Sequence, residues 1–197
     1  MGKVIMAATM SLDGFIADPT DEVGPLFDWY GNGDIEVAPG DPERLFQVTA
    51  ASANYVTESW PRIGASVIGR RLFDLTNGWN GRPAAGDAVF VVTHTPPTDW
   101  PFPDAPFIFV TDGVESAVNR AKAFASDRDI SITAGEIGTQ ALNADLVDEV
   151  AVALVPVLFG TGIRFFGDII QSPLLLENPR IVQGDRVTHL DYPVRKH

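Results

Sequence analysis

Four short stretches carry residue types that could do chemistry on an anionic or carbonyl-bearing ligand. In Val67-Ile68-Gly69-Arg70-Arg71-Leu72-Phe73 a short apolar run meets a glycine and two arginines before a helix-like segment. Glycine lets the backbone approach a ligand closely, the first N–H groups of a helix lack partners within it, and guanidinium groups match phosphate. Basic residues opening a helix are also ordinary solvated surface, and this stretch alone does not separate the two. Ala134-Gly135-Glu136-Ile137-Gly138 follows the alternating Ile130-Ser131-Ile132-Thr133 and again reads as strand, glycine turn and helix start. Its glycines free backbone N–H groups to face an anion, provided the Glu136 carboxylate points away. Two such turns in one chain suit a dinucleotide better than a single phosphate.

Asp13-Gly14 closes the first apolar run. As a turn it is self-sufficient, because Asp-Gly tolerates positive φ. As a functional pair it would put a carboxylate at the mouth of a pocket. The buried-type strand Ala88-Val89-Phe90-Val91-Val92 ends in Thr93-His94 before Pro96-Pro97. In an open sheet that strand end is where ligands bind, although a loop histidine satisfied by backbone accounts equally for His94.

The elements that must position these residues follow from periodicity. Lys3 to Met10 is apolar with little alternation, as in a strand covered on both faces. Residues 18–41 are rich in Pro, Gly, Asp and Asn, with Phe27, Trp29 and Tyr30 interspersed. This long connection reads as a lid, an oligomer contact, or a segment packed back on the domain. Asp41-Pro42 offers an N-cap and first-turn proline for a helix to about Val56. Asp112 resembles an N-cap with Glu115 three positions on, and Val114, Ala117, Val118, Ala121, Phe124 and Ala125 follow at helical spacing. The run from Val150 to Phe159 is a strand interrupted by Pro156, and Gly184-Asp185 joins two terminal strands as a hairpin that carries His189.

The chain has 197 residues, 45% hydrophobic and 20% charged, which suits one globular domain over residues 1–197. It contains no cysteine, which excludes disulfides, thiolate metal sites and a cysteine nucleophile. His94, His189 and His197 are too far apart for a local metal motif, so no metal site is expected. A net charge of -12 disfavours nucleic acid and anionic membrane. No apolar run approaches the length of a membrane span and the N-terminus lacks a signal-peptide pattern, so a cytoplasmic protein is expected.

The order of elements is α/β with a mixed sheet, and no Gly-x-Gly-x-x-Gly follows the first strand. Met10-Ser11-Leu12-Asp13-Gly14-Phe15-Ile16-Ala17, the Gly69-Arg70-Arg71 and Gly135 to Gly138 stretches, and Pro156-Val157-Leu158-Phe159-Gly160-Thr161-Gly162 together resemble the dihydrofolate reductase-like family. The resemblance is nearer to the group containing the C-terminal reductase domain of the riboflavin-biosynthesis deaminase-reductase. It implies a three-layer fold with a mostly parallel central sheet and an antiparallel C-terminal hairpin. It also implies NADPH as hydride donor, a small heterocyclic or sugar-like substrate reduced at C=O or C=N, and a homodimer. Gly69, Arg70 and Arg71 would then hold cofactor phosphates, and Thr93 and His94 would line the adenosine end. Gly135, Glu136, Ile137 and Gly138 would meet the pyrophosphate and nicotinamide side, and Asp13 would be the catalytic group facing the substrate. The chain departs from the family where Ala134-Gly135-Glu136 replaces consecutive glycines, and it has no counterpart of the acid that serves the pterin in dihydrofolate reductases. The alternative is a nucleotide-binding or interaction protein of the same fold without reductase activity.

Overall fold

Alternation along the strands decides how the chain is layered. The structure, a computed structural model, describes residues 2–39 and 41–195. Its elements run β1 (Val4–Ser11), β2 (Phe15–Ala17), a 3-10 helix (Gly24–Gly31), β3 (Ile35–Val37), β4 (Phe46–Val48) and α1 (Ala50–Ser59). Next come β5 (Ile63–Gly69), α2 (Arg70–Asn80), β6 (Ala88–Val92), β7 (Phe107–Val110), α3 (Val114–Ala125), β8 (Asp129–Thr133) and α4 (Glu136–Asn143). The chain ends with β9 (Glu149–Val155), β10 (Ile163–Arg164), β11 (Arg180–Gln183) and β12 (Thr188–Pro193).

The main sheet is 8-stranded in the order β11-β12-β9-β1-β8-β5-β6-β7. Strands from β9 to β7 are parallel, with Met6 opposite both Ile132 and Val150, and Val67 opposite Ile132. The hairpin β11-β12 adds antiparallel to β9. Val4, Met6, Ala65, Val67, Ile130 and Ile132 point to one face, where α3 supplies Ala117, Val118 and Ala121. On the opposite face the core divides in two. Leu26, Trp29, Val48 and Val56 cover the β9 side with Val155 and Val187, whereas Phe73 of α2 packs with Ile68, Val89 and Val91 on the β6 side. The result is the expected three-layer α/β arrangement with an antiparallel terminal hairpin.

Several local expectations change. Asp41 caps a turn, accepting from Glu43 N at 3.0 Å, but no helix grows from it. Phe46 to Val48 are instead drawn into an antiparallel ladder with Val37 to Ile35, and α1 starts only at Ala50 after Thr49. The cap of α3 is Gly113 at φ 97°, while Asp112 turns to Ser116 Oγ at 2.9 Å and Arg120 Nη2 at 2.8 Å. The 18–41 connection contains the 3-10 helix and β3, and it packs back on the domain: Trp29 is buried and Tyr30 stacks on Phe46 with centroids 4.2 Å apart. Strand β9 stops before Pro156. His197 lies outside the described residues.

His189 is 1% exposed, with Nε2 3.1 Å from Ser52 Oγ, its ring stacked on Tyr55 and the edge of Trp29 against it. Burial pushes its pKa down to about 4 from 6.5. Between these values the unfolded chain holds a proton that the folded one refuses, so stability is full above the unfolded value and declines as pH falls toward the folded one. This group should cost about 3 kcal/mol over that window. Urea unfolding across the acid range is expected to show a shallower loss for His189→Gln than for wild type; parallel curves would refute it.

Candidate active site

Parallel pairing places the C-terminal ends of β1, β8, β5 and β6 along one edge, so stretches far apart in sequence meet there. The Gly69 and Gly135 turns are adjacent: a Cβ on Gly69 would stand 2.9 Å from Ile137 Cγ1. Gly135 has φ 86°, and its N–H donates to Phe165 O at 2.8 Å. Ile137 is thus wedged against the other turn, and the first N–H groups of α4 remain available at this edge. Gly138 lies beneath the turn, where a Cβ would stand 2.6 Å from Thr133 O and 2.9 Å from Met6 Cε. Its smallness seats α4 on the sheet. Glu136 is exposed and accepts from Gln140 Nε2 at 2.8 Å, which carries the carboxylate along the helix.

The two arginines splay in opposite directions. Arg70 Nε donates to Asp74 Oδ1 at 2.7 Å, and its Nη1 donates to Thr93 Oγ1 at 3.4 Å and to Thr95 O. It therefore reaches toward the end of β6, where Thr93 is buried and His94 exposed. Arg71 reaches the other way, forking its Nε and Nη2 onto the Asp21 carboxylate, with Nε 2.7 Å from Oδ1. This ion pair holds the Arg71 guanidinium above its ordinary pKa and clasps the turn at residues 18–22 to the start of α2.

Asp13 is fully engaged. Ser11 Oγ donates to its Oδ1 at 2.6 Å, Phe159 N lies 3.2 and 3.1 Å from its two oxygens, and Gly160 N donates to Oδ2 at 2.7 Å. These donors, Ser11 foremost, hold the carboxyl below the ordinary carboxylate pKa. The group is a carboxylate at neutral pH and ties the end of β1 to the 157–160 loop. Such an environment is the opposite of what a proton-donating acid needs.

A feature missed in the sequence lies between the two half-cores. On that face β1 and β8 present Ala7, Thr9, Ser131 and Thr133, a strip of small side chains flanked by the α1 and α2 layers. The signal was the period-two row of small residues Ala7, Thr9 and Ser11, hidden in a run that is apolar overall. A floor of small residues leaves room for a planar ring, and three hydroxyls can orient it.

This edge, with two glycine turns before helices and a shallow floor beside them, suits a dinucleotide and a small ring compound. A family model for the RibD C-terminal domain matches residues 2–190. The chain belongs to the RibD C-terminal domain family. No curated protein matches it in sequence. Among solved structures, a protein named for riboflavin biosynthesis from Shewanella sp. PV-4 is 23% identical, with both chains fully covered and a TM-score of 0.68. A diaminohydroxyphosphoribosylaminopyrimidine deaminase/5-amino-6-(5-phosphoribosylamino)uracil reductase from Thermotoga maritima is 15% identical with a TM-score of 0.65. There 98% of this chain aligns with 57% of the longer protein. Dihydrofolate reductase from Enterococcus faecalis, complexed with NADP(H), is 16% identical over 99% of this chain and 97% of that one, with a TM-score of 0.59. The fold of this family member is dihydrofolate reductase-like.

The holding role of Asp13 has a measurable consequence. Its lowered pKa means that its contribution to stability is present above the unfolded value of 3.8 and lost as pH falls through the folded one. Asp13→Asn should therefore lower the thermal midpoint most at neutral pH and converge with wild type in acid. A gap independent of pH would show that the carboxylate charge is not what holds the loop.

Proposed function

We propose that this RibD C-terminal domain family member is an NADPH-dependent reductase. It would transfer hydride to a C=O or C=N bond of a small pyrimidine-, pterin- or sugar-like molecule of the riboflavin-precursor kind. The observation that carries this reading is the meeting of the Gly69 and Gly135 turns at one sheet edge, beside the small-residue floor of β1 and β8. The residues present fit a dinucleotide. Gly135 turns at φ 86° directly before α4, whose first N–H groups face this edge, and Arg70 keeps Nη2 outside its hydrogen bonds to Asp74, Thr93 and Thr95.

When bound, NADPH supplies the hydride. In this reading Arg70, with Thr93 and His94, takes the adenosine end and its 2′-phosphate. Gly69, Arg71, Gly135, Glu136, Ile137 and Gly138 form the turns along the phosphates and nicotinamide side. Asp13 acts as a positioning residue, because its engaged carboxylate holds the 157–160 loop at the pocket mouth. The hydroxyls of Thr9, Ser131 and Thr133 orient the ring or a water that supplies the proton. One unit over residues 1–197, a homodimer in the cytoplasm, and a small molecule rather than nucleic acid or membrane as partner complete the proposal. The charge of -12 supports the partner class.

The fully engaged Asp13 favours one second reading, a nucleotide-binding protein of this fold without reductase activity. Titration of tryptophan fluorescence with NADPH and NADH, together with NADPH oxidation over a panel of pyrimidines, pterins and sugars, tests both. Binding that prefers NADPH, with the preference reduced roughly tenfold or more in Arg70→Ala, is expected for a lost charge-assisted phosphate contact. Turnover with a panel member supports the reductase. Binding without turnover supports the second reading, and failure of either nucleotide to bind overturns both.

A further inference from the structure

Arg164 stands apart in the charge balance of this acidic protein. Among the described residues every arginine except Arg164 and Arg186 is ion-paired with a carboxylate. Arg186 sits in the β11-β12 turn, separated from the two glycine turns by β9 and β1 in the sheet order. Arg164 sits among them. Its strand β10 pairs with β2, placing Arg164 opposite Phe15, directly after the Asp13-Gly14 turn. The next residue, Phe165, is fully buried; its N–H donates to Gly14 O at 2.9 Å and its carbonyl accepts from Gly135 N at 2.8 Å. The Arg164 carbonyl oxygen lies 3.8 Å from where a Gly135 Cβ would stand. The residue is therefore pinned by its backbone between the ends of β1 and β8.

Its guanidinium lies 5.6 Å over the Phe15 ring and is exposed. Stacking on an aromatic face orients the guanidinium plane and leaves its edge donors free for a bidentate partner. Apart from Arg186, intramolecular carboxylates have taken the other guanidinium groups among the described residues, including Arg70 and Arg71 at the same sheet edge. Among the described residues no carboxylate is paired with Arg164, so its exposed edge donors are free for a group the chain itself does not provide.

We propose that Arg164 is a phosphoryl-binding residue of this cleft, and that the group it takes is the bridging pyrophosphate of the dinucleotide. A phosphate on the substrate has the same chemistry. The assignment rests on the reductase reading for the source of the phosphoryl group, though not for the anion site itself. Neither the glycine turns nor the paired arginines indicated this residue.

The test measures dissociation constants of the full chain for NADPH, NADH, inorganic pyrophosphate and ribose 5-phosphate, in wild type, Arg164→Ala and Arg164→Lys. Thermal melting establishes that the exposed substitutions leave the fold intact. The expected result is an equal loss of NADPH and NADH affinity in Arg164→Ala, roughly tenfold or more, because pyrophosphate is common to both. Arg164→Lys should recover part of it. A loss confined to ribose 5-phosphate would keep the phosphoryl site and move its source to the substrate. Unchanged affinity for all four probes overturns the proposal while leaving the reductase reading in place. Binding of pyrophosphate alone, dependent on Arg164, would keep the anion site and remove the reductase.

Discussion

Insertion of β8 between β1 and β5 is the constraint on which the rest depends. Strand β8 is made late in the chain, yet its backbone groups satisfy those of two strands formed much earlier, Met6 and Val67 both standing opposite Ile132. A buried parallel strand has no other route to satisfied N–H and C=O groups. Once β8 is in place, the turn that follows it must lie beside the turn that follows β5, and Ile137 fills the space a Gly69 side chain would need. Gly138 permits this by letting α4 approach Thr133 and Met6. The site is therefore a product of topology, and its glycines divide between those that open the edge and those that close the packing beneath it.

The same constraint explains the small-residue floor. Helices cover the second face only at its two sides, through Trp29 and Val56 on one and Phe73 on the other. Large side chains on β1 and β8 would have filled the space between. Ala7, Thr9, Ser131 and Thr133 are small, and they lie on the stretch of that face between the two half-cores. An apolar core and a strip of small, largely hydroxyl-bearing side chains are here the two faces of the same strands, and period-two alternation separates them.

Strands, turns and their order were legible because buried strands and glycine turns are local signals. The failures were of long-range origin. Asp41 has every local feature of an N-cap and does cap a turn, but antiparallel pairing with residues 35–37 claims the next residues for a strand. Asp112 looks like the cap of α3, yet Gly113 can adopt a positive φ at no steric cost and takes the position. Asp13 was read as a turn or a pocket-facing carboxylate, but its hold on the amides of Phe159 and Gly160 is a contact no local reading could bring to it. Arg164 was invisible for the same reason: an unpaired arginine is recognised only after the partners of all the others are known.

The electrostatics of the edge follow from how firmly each cation is already held. The Arg71–Asp21 pair is forked but exposed on the arginine side, with side-chain exposures of 69% and 14%. Exposed pairs of this kind contribute little net stability, because solvent screens the attraction and two side chains are ordered to make it. A phosphate offering similar fork geometry can exchange with such a carboxylate at little net cost. Arg70 is different, since Asp74 lies on its own helix and Thr93 and Thr95 fix its far side. The geometry therefore gives the edge one cation held in place, one that a loop carboxylate can surrender, and one at Arg164 that begins uncommitted. In the proposed reading an anion at this edge would meet a graded set of donors, and the clasp at Asp21 is the one whose exchange would release the 18–22 turn from α2.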